Sequence, residues 1–175
     1  YGGSSGQWNR EHTFAKSLGN PDLGTSGPGS DAHNLRASDV DQNANRGNLL
    51  FADGSGNAGT TGANWYPGDE WKGDCARIIM YMYLRYGLQC RPYYCADGTA
   101  NTVDANMVNV LLDWNAEDVV SQLEKNRNDE IQNWQGNRNP FIDNPYIATK
   151  IWGGTPAEDT WGGLGMSPEP GTSFN

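Results

Sequence analysis

The stretch GQWNREHTFAKSLGN, residues 6–20, sets an acid and an imidazole side by side at Glu11 and His12. The chain has only 2 histidines, and this one sits in a polar, glycine-rich opening. Residues 7–12 (QWNREH) suit a short strand that ends at the pair. Residues 19–30 (GNPDLGTSGPGS) are dense in Gly, Pro and Ser, which interrupt regular structure and form a loop. Residues 31–35 (DAHNL) suit a second short strand. In the following ASDVDQNANRGN, Ser38 is placed as an N-cap and Asp39 and Asp41 fall in the first turn, where the helix dipole favours acids. Gly47 suits the position just past the last turn. The opening therefore reads strand, loop, strand, helix.

Beyond it, residues 52–64 (ADGSGNAGTTGAN) predict a flexible loop. From Asp74 to Tyr86 the spacing predicts a helix, with Cys75, Ile79, Met82 and Tyr86 on one face. A second helix is expected over 104–114, through Met107, Val110, Leu111 and Trp114. A third is expected over 115–135, capped by Asn115, with Val119, Val120, Leu123, Ile131 and Trp134 apolar and Gly136 at its end. After Trp152 the chain is rich in Gly and Pro and reads as extended.

A length of 175 residues suits one domain with a real core, and 7 Trp and 8 Tyr make that core aromatic. The formal charge of −9 argues against steering of nucleic acid by the global field. Residues 1–50 are close to neutral, however, which leaves room for a local site. The 3 cysteines do not fix the compartment: Cys90 and Cys95 bracket a short loop and suit a small disulfide, and Cys75 suits a buried free thiol. No apolar run is long enough to span a bilayer. The opening YGGSSG reads as a processed or trimmed start.

A one-metal phosphodiester hydrolase needs a hard divalent ion on the phosphate and a base for water on the other side. Magnesium takes few protein oxygens and keeps several waters. Glu11 supplies a carboxylate, His12 a base, and Asn43 in the short helix an amide oxygen. Arg46, three residues on, shares that helix face and offers a fork of donors. Adjacent strand residues point to opposite faces, so Glu11 and His12 share one site only if the strand ends or bends there.

Three ordered motifs carry a resemblance. WNREHTFAKS (8–17), SDAHNLRASDVDQNANRGN (30–48) and QGNRNPF (135–141) resemble the bacterial endonuclease I family of secreted and periplasmic nucleases. KGDCARIIMYMYLRYG (72–87) is similar to that family's central helix. The resemblance implies an α+β fold, loop-rich, with a ββα-metal (His-Me finger) core packed against several helices. The resemblance runs from about Asn9 to Pro145, which suits a nuclease domain over 1–150, and composition reads 151–175 as a Gly/Pro-rich acidic tail or linker. It implies Glu11 and Asn43 as metal ligands, His12 as the residue that activates water, and Arg46 as a catalytic neighbour. Arg36 and Arg10 are candidates for binding substrate. The implied ion is Mg2+, or Mn2+ or Ca2+ in its place. The implied reaction is cleavage of DNA, and of RNA, with little sequence preference, to 5′-phosphate ends. The implied protein is a monomer, secreted or periplasmic, with no membrane partner. Ala15 and Ala32 stand where many members have Pro and Leu, and many members carry a helical segment ahead of the glutamate.

Bland readings compete with these. A binding or structural protein that keeps the nuclease fold with little activity fits the net charge. A zinc site on His12, His33 and Glu11 would serve hydrolysis of some other ester. Arg46 also suits a salt bridge to Asp39 or Asp41. His33 and Asn34 read as structural hydrogen-bonders, Asn137, Arg138 and Asn139 as ties for the C-terminal loop, and Trp8 as core.

Overall fold

The computed structural model describes residues 1–164. Strand β1 (Trp8–His12) pairs antiparallel with β2 (Leu35–Asp39), in a register that sets Glu11 opposite Arg36 and His12 opposite Leu35. The second strand lies four residues later than the expected 31–35. Residues 32–34 form a single 3-10 turn, because the Asp31 carboxylate accepts the His33 N–H at 2.9 Å and bends the chain there. Asn34 then acts as an extra piece of strand: its side chain accepts the Phe14 N–H at 2.7 Å and donates to the Phe14 carbonyl at 3.1 Å. This pins the end of β1 and seats Phe14 in the core with no exposed surface.

Helix α1 (Val40–Arg46) follows β2 directly. Its N-cap is Asp39 rather than Ser38: one carboxylate oxygen accepts the N–H groups of Asp41 and Gln42, and Ser38 stays in the strand. Gly47, at φ 53°, ends the helix as expected. Within the expected loop 52–64, β3 (Gly59–Thr61) turns back at Gly62 to pair with β4 (Asn64–Tyr66), which buries Trp65 and Tyr66.

Helix α2 (Lys72–Tyr86) is the centre of the core. Ala76, Ile79, Met80 and Met82 have no exposed surface, so the helix is covered on more than the one face its spacing predicts. Helix α3 (Asn109–Glu117) packs along it, and α4 (Gln122–Gln135), α5 (Pro140–Asp143) and α6 (Tyr146–Trp152) close the fold. The expected helices 104–114 and 115–135 divide elsewhere. Asn115 lies buried inside α3 and donates to the Pro145 carbonyl, and α4 starts at Ser121 with a capping box. There Ser121 Oγ accepts the Glu124 N–H and Glu124 accepts the Ser121 N–H. The buried stripe of α4 is Glu124, Asn128 and Ile131, at i, i+4 and i+7. Of the apolar residues noted for the expected helix, Val119, Leu123 and Trp134 are exposed.

Trp8, expected in the core, is also exposed, with the Tyr1 ring edge-on at 5.1 Å. Cys90 and Cys95 are buried free thiols, and the Cys95 thiol donates to the Pro92 carbonyl at 3.4 Å. Cys75 is also a free thiol, and it is half-buried. Residue 150 lies inside α6, and the chain after it returns to the body: the Glu158 carbonyl accepts the Tyr146 N–H, and Asp159 accepts from Asn144. Residues 165–175 of the proposed tail lie outside the described residues. No helix among the described residues is long and apolar enough to cross a membrane.

Candidate active site

Strand alternation puts Asn9, Glu11 and Thr13 on one side of β1 and His12 on the other. The strand ends at His12. The His12 Nε2 lies 2.9 Å from the Gly29 carbonyl oxygen. A carbonyl only accepts, so Nε2 carries the proton and the neutral ring leaves Nδ1 as its basic nitrogen. Residue 29 has to be glycine for this contact, since a side chain there would run into the Gly24 carbonyl.

On the other side of β1, Glu11 and Asn43 line one cavity of about 310 Å³. Glu11 Oε1 accepts from Arg46 Nη1 at 2.6 Å, and its second oxygen accepts nothing among the described residues. Burial raises the Glu11 carboxyl above its ordinary range, and the Arg46 guanidinium only partly offsets this. The Asn43 amide nitrogen donates to Asn9 Oδ1 at 2.7 Å and to the Arg10 carbonyl at 3.3 Å. Its oxygen, aimed by those two bonds, meets no donor among the described residues. Two hard oxygens with no acceptor duty on one wall fit an ion that takes few protein ligands, as magnesium does.

Arg46 is 3 % exposed and faces inward. Besides Glu11, its guanidinium donates to the His12 carbonyl at 3.0 Å and the Thr13 carbonyl at 2.9 Å, and it lies over the Phe51 ring. The helix start leaves it alone: Asp39 caps α1 and Asp41 takes the Ser5 hydroxyl. Arg46 therefore positions Glu11 and the strand end, and its Nε is buried with no partner among the described residues.

Arg36 lines the cavity opposite Glu11, over the Trp71 ring at 5.3 Å, and pairs with Asp74 at 2.6 Å. Burial, then the Glu124 charge, pushes the Asp74 carboxyl up to about 6 against the pull of Arg36. Arg10 is exposed on the outer face of β1. His33 has no exposed surface, and its Nε2 contacts the Asn137 carbonyl at 3.2 Å; burial lowers its pKa. Among the described residues no three His, Cys, Asp or Glu side chains gather to hold a metal, so the zinc site on His12, His33 and Glu11 does not form.

Asn139 caps α5 and donates to the Arg77 carbonyl, Asn137 donates to Tyr81, and Arg138 pairs with Asp129 and Asp143. These are ties, as their sequence suggests. Sequence reasoning missed Asn9 and Gly29. Asn9 had a signal, since it stands two residues before Glu11 on the same strand face. Gly29 had none, because only the loop's path brings it to His12.

A family model described as Endonuclease I matches residues 1–146. The extracellular ribonuclease of Bacillus amyloliquefaciens is 44% identical, over 86% of this chain and 56% of that protein. The extracellular ribonuclease of Bacillus subtilis (strain 168) is 43% identical over the same shares. The chain thus spans 56% of the length of these curated relatives.

Proposed function

This chain belongs to the endonuclease I family, and from that premise we propose that it is a metal-dependent endonuclease of the ββα-metal type. It hydrolyses phosphodiester bonds of RNA and DNA with little sequence preference, as a monomer, outside the cytoplasm. RNA and secretion come from the relatives' printed names. The observation that carries the reading is the set of unengaged atoms at one strand end: the second Glu11 oxygen, the Asn43 oxygen and His12 Nδ1.

In this reading Glu11 and Asn43 hold Mg2+, or Mn2+ or Ca2+ in its place. When bound, the ion supplies positive charge against the phosphate and the departing oxygen. The protein's own groups do the rest. Gly29 holds the His12 ring in the tautomer whose Nδ1 accepts a proton. Nδ1 takes that proton from water, the water oxygen bonds to phosphorus, and the bond from phosphorus to the 3′ oxygen breaks. A 5′-phosphate end results. Because His12 and Glu11 point to opposite faces, the phosphate sits where β1 ends and both are within reach. Arg46 draws the Glu11 carboxyl back toward its ordinary range, against the larger effect of its burial.

The test is cleavage of RNA and of plasmid DNA with Mg2+ or with EDTA, by the wild type and by His12→Ala. Cutting should need the ion, and the variant should lose roughly a hundred-fold to ten-thousand-fold. Cutting that persists in EDTA, or that His12→Ala leaves intact, would sink the reading.

A further inference from the structure

The candidate site accounts for only one edge of its cavity. Beside the Arg36–Asp74 ion pair and Asp39, the rest of the wall carries a cluster of aromatic and apolar side chains, Trp65, Trp71, Phe51 and Ile78. Gln42 and Ser38 stand on the same wall. The Gln42 side chain makes no hydrogen bond among the described residues, so its amide can both donate and accept. Trp71 is partly exposed, at 37 %. A volume of about 310 Å³ lies at the small end of ligand pockets. It suits one flat ring system rather than a length of backbone.

The cations point the same way. Arg36, Arg46, Lys72, Arg77, Arg85 and Arg138 are held in ion pairs. Arg127 is committed to the carbonyls of Ala32, His33 and Leu35, and Lys150 lies over the Tyr146 ring. Arg91 donates to the Tyr93 and Tyr94 hydroxyls, so Arg10, Lys16 and Lys125 are the cationic side chains left with no ion pair, hydrogen bond or ring contact among the described residues. Duplex DNA is bound through many phosphate contacts, and this surface offers few. A strand with unpaired bases is bound by stacking on aromatic side chains as well.

We propose that the cavity beside Glu11 and Asn43 receives an unpaired nucleobase next to the scissile phosphate, so that the protein acts on single strands in preference to duplex. A paired base would have to leave its stack to enter, at a cost in free energy. The inference rests on the nuclease reading and narrows its substrate.

The experiment compares kcat/KM, in Mg2+, on three forms of one labelled oligonucleotide. These are the single strand, the same strand annealed to its complement, and a strand of equal length built of abasic units. The single strand should be cut roughly ten-fold or more faster than either other form, the order of effect of one base–aromatic stack. Trp71→Ala should collapse the ratio of base-bearing to abasic cutting toward one. Trp71 stands at the start of α2 and its loss could unfold the helix, so Ser38→Phe, which fills the cavity from the strand, serves as the second variant. Thermal melts show that each variant folds. Equal rates on the three forms, or a ratio that survives in the folded variants, would overturn the inference and leave the nuclease reading standing. No cutting of any form with any divalent ion would remove the nuclease reading and this inference with it.

Discussion

Two arginines are buried in this protein, and their surroundings differ. Arg77, with no exposed surface, meets Glu124 through Nε at 2.6 Å and Nη2 at 2.8 Å, and its Nη1 donates to the Asp118 carbonyl at 2.7 Å. Glu124 in turn uses its second oxygen in the capping box of α4. Arg46 meets Glu11 through a single nitrogen and a single oxygen, and leaves its own Nε and the second Glu11 oxygen without partners among the described residues. A low-dielectric interior penalises unpaired polar groups, so it fills such places where nothing else is to bind. The first pair is a closed clamp between α2 and α4. The second is a half-made pair beside a cavity, and that difference is what the proposed ligand site rests on.

Breaking the closed pair should have the largest effect. Arg77→Met leaves the Glu124 carboxylate buried and alone, and should cost about 3–5 kcal/mol of stability in denaturant melts. Arg77→Met with Glu124→Leu should recover most of that loss. A single variant that melts like the wild type would mean that the clamp is not closed in solution.

Altering the open pair should act on function first. Arg46→Lys keeps the charge but loses the fork that reaches Glu11, His12 and Thr13 at once. Cleavage should fall roughly ten-fold to a hundred-fold, with weaker apparent affinity for Mg2+, as expected for a group that orients a metal ligand. Its melting temperature should fall less than that of Arg77→Met. The reverse order would erase the distinction between the two arginines.

Asp31 gives a third kind of buried charge. Burial would raise its carboxyl, but hydrogen bonds from Gln135, Tyr86, Tyr81 and the His33 N–H outweigh that and hold it below its ordinary value. A depressed folded value means that the carboxylate stabilises the fold above the unfolded value, about 3.9. That contribution is lost as pH falls through the folded value. Asp31→Asn should therefore cost about 1–2 kcal/mol at neutral pH and little at strongly acid pH. Melts that show the same loss at both ends would contradict the assignment. The smallest effect is expected at Trp134, which is 88 % exposed on α4. Trp134→Gln should shift stability by no more than about 0.5 kcal/mol.

The parts of this molecule that were legible in the sequence are those whose partners are close in the chain. Glu11, His12, Asn43 and Arg46 fall within one strand, strand and helix unit, and the spacing of Asn43 and Arg46 already places them on one helix face. The helix at α2 declared itself by its apolar period. The second strand shifted because Asp31 reads as the first residue of a strand but acts as a cap, a choice made by one side-chain hydrogen bond. Helix α4 was misread for a different reason. Its buried stripe is polar, because Glu124 and Asn128 answer Arg77 and Asn139 from other elements, and its apolar residues are left outside. The role of Arg46 was half visible: its place beside the site could be read, but its partner turned out to be Glu11, across the hairpin, rather than the aspartates on its own helix. Arg36 with Asp74, 38 residues apart, left no local trace at all.

The central claim is that the two unengaged oxygens, on Glu11 and Asn43, form one divalent-metal site. Titration calorimetry of Mn2+ into the wild type, Glu11→Gln and Asn43→Ala tests it without any substrate. The account predicts one bound ion in the wild type and loss of that binding in both variants, with melts that show both folded. Binding that persists unchanged in either folded variant would contradict it.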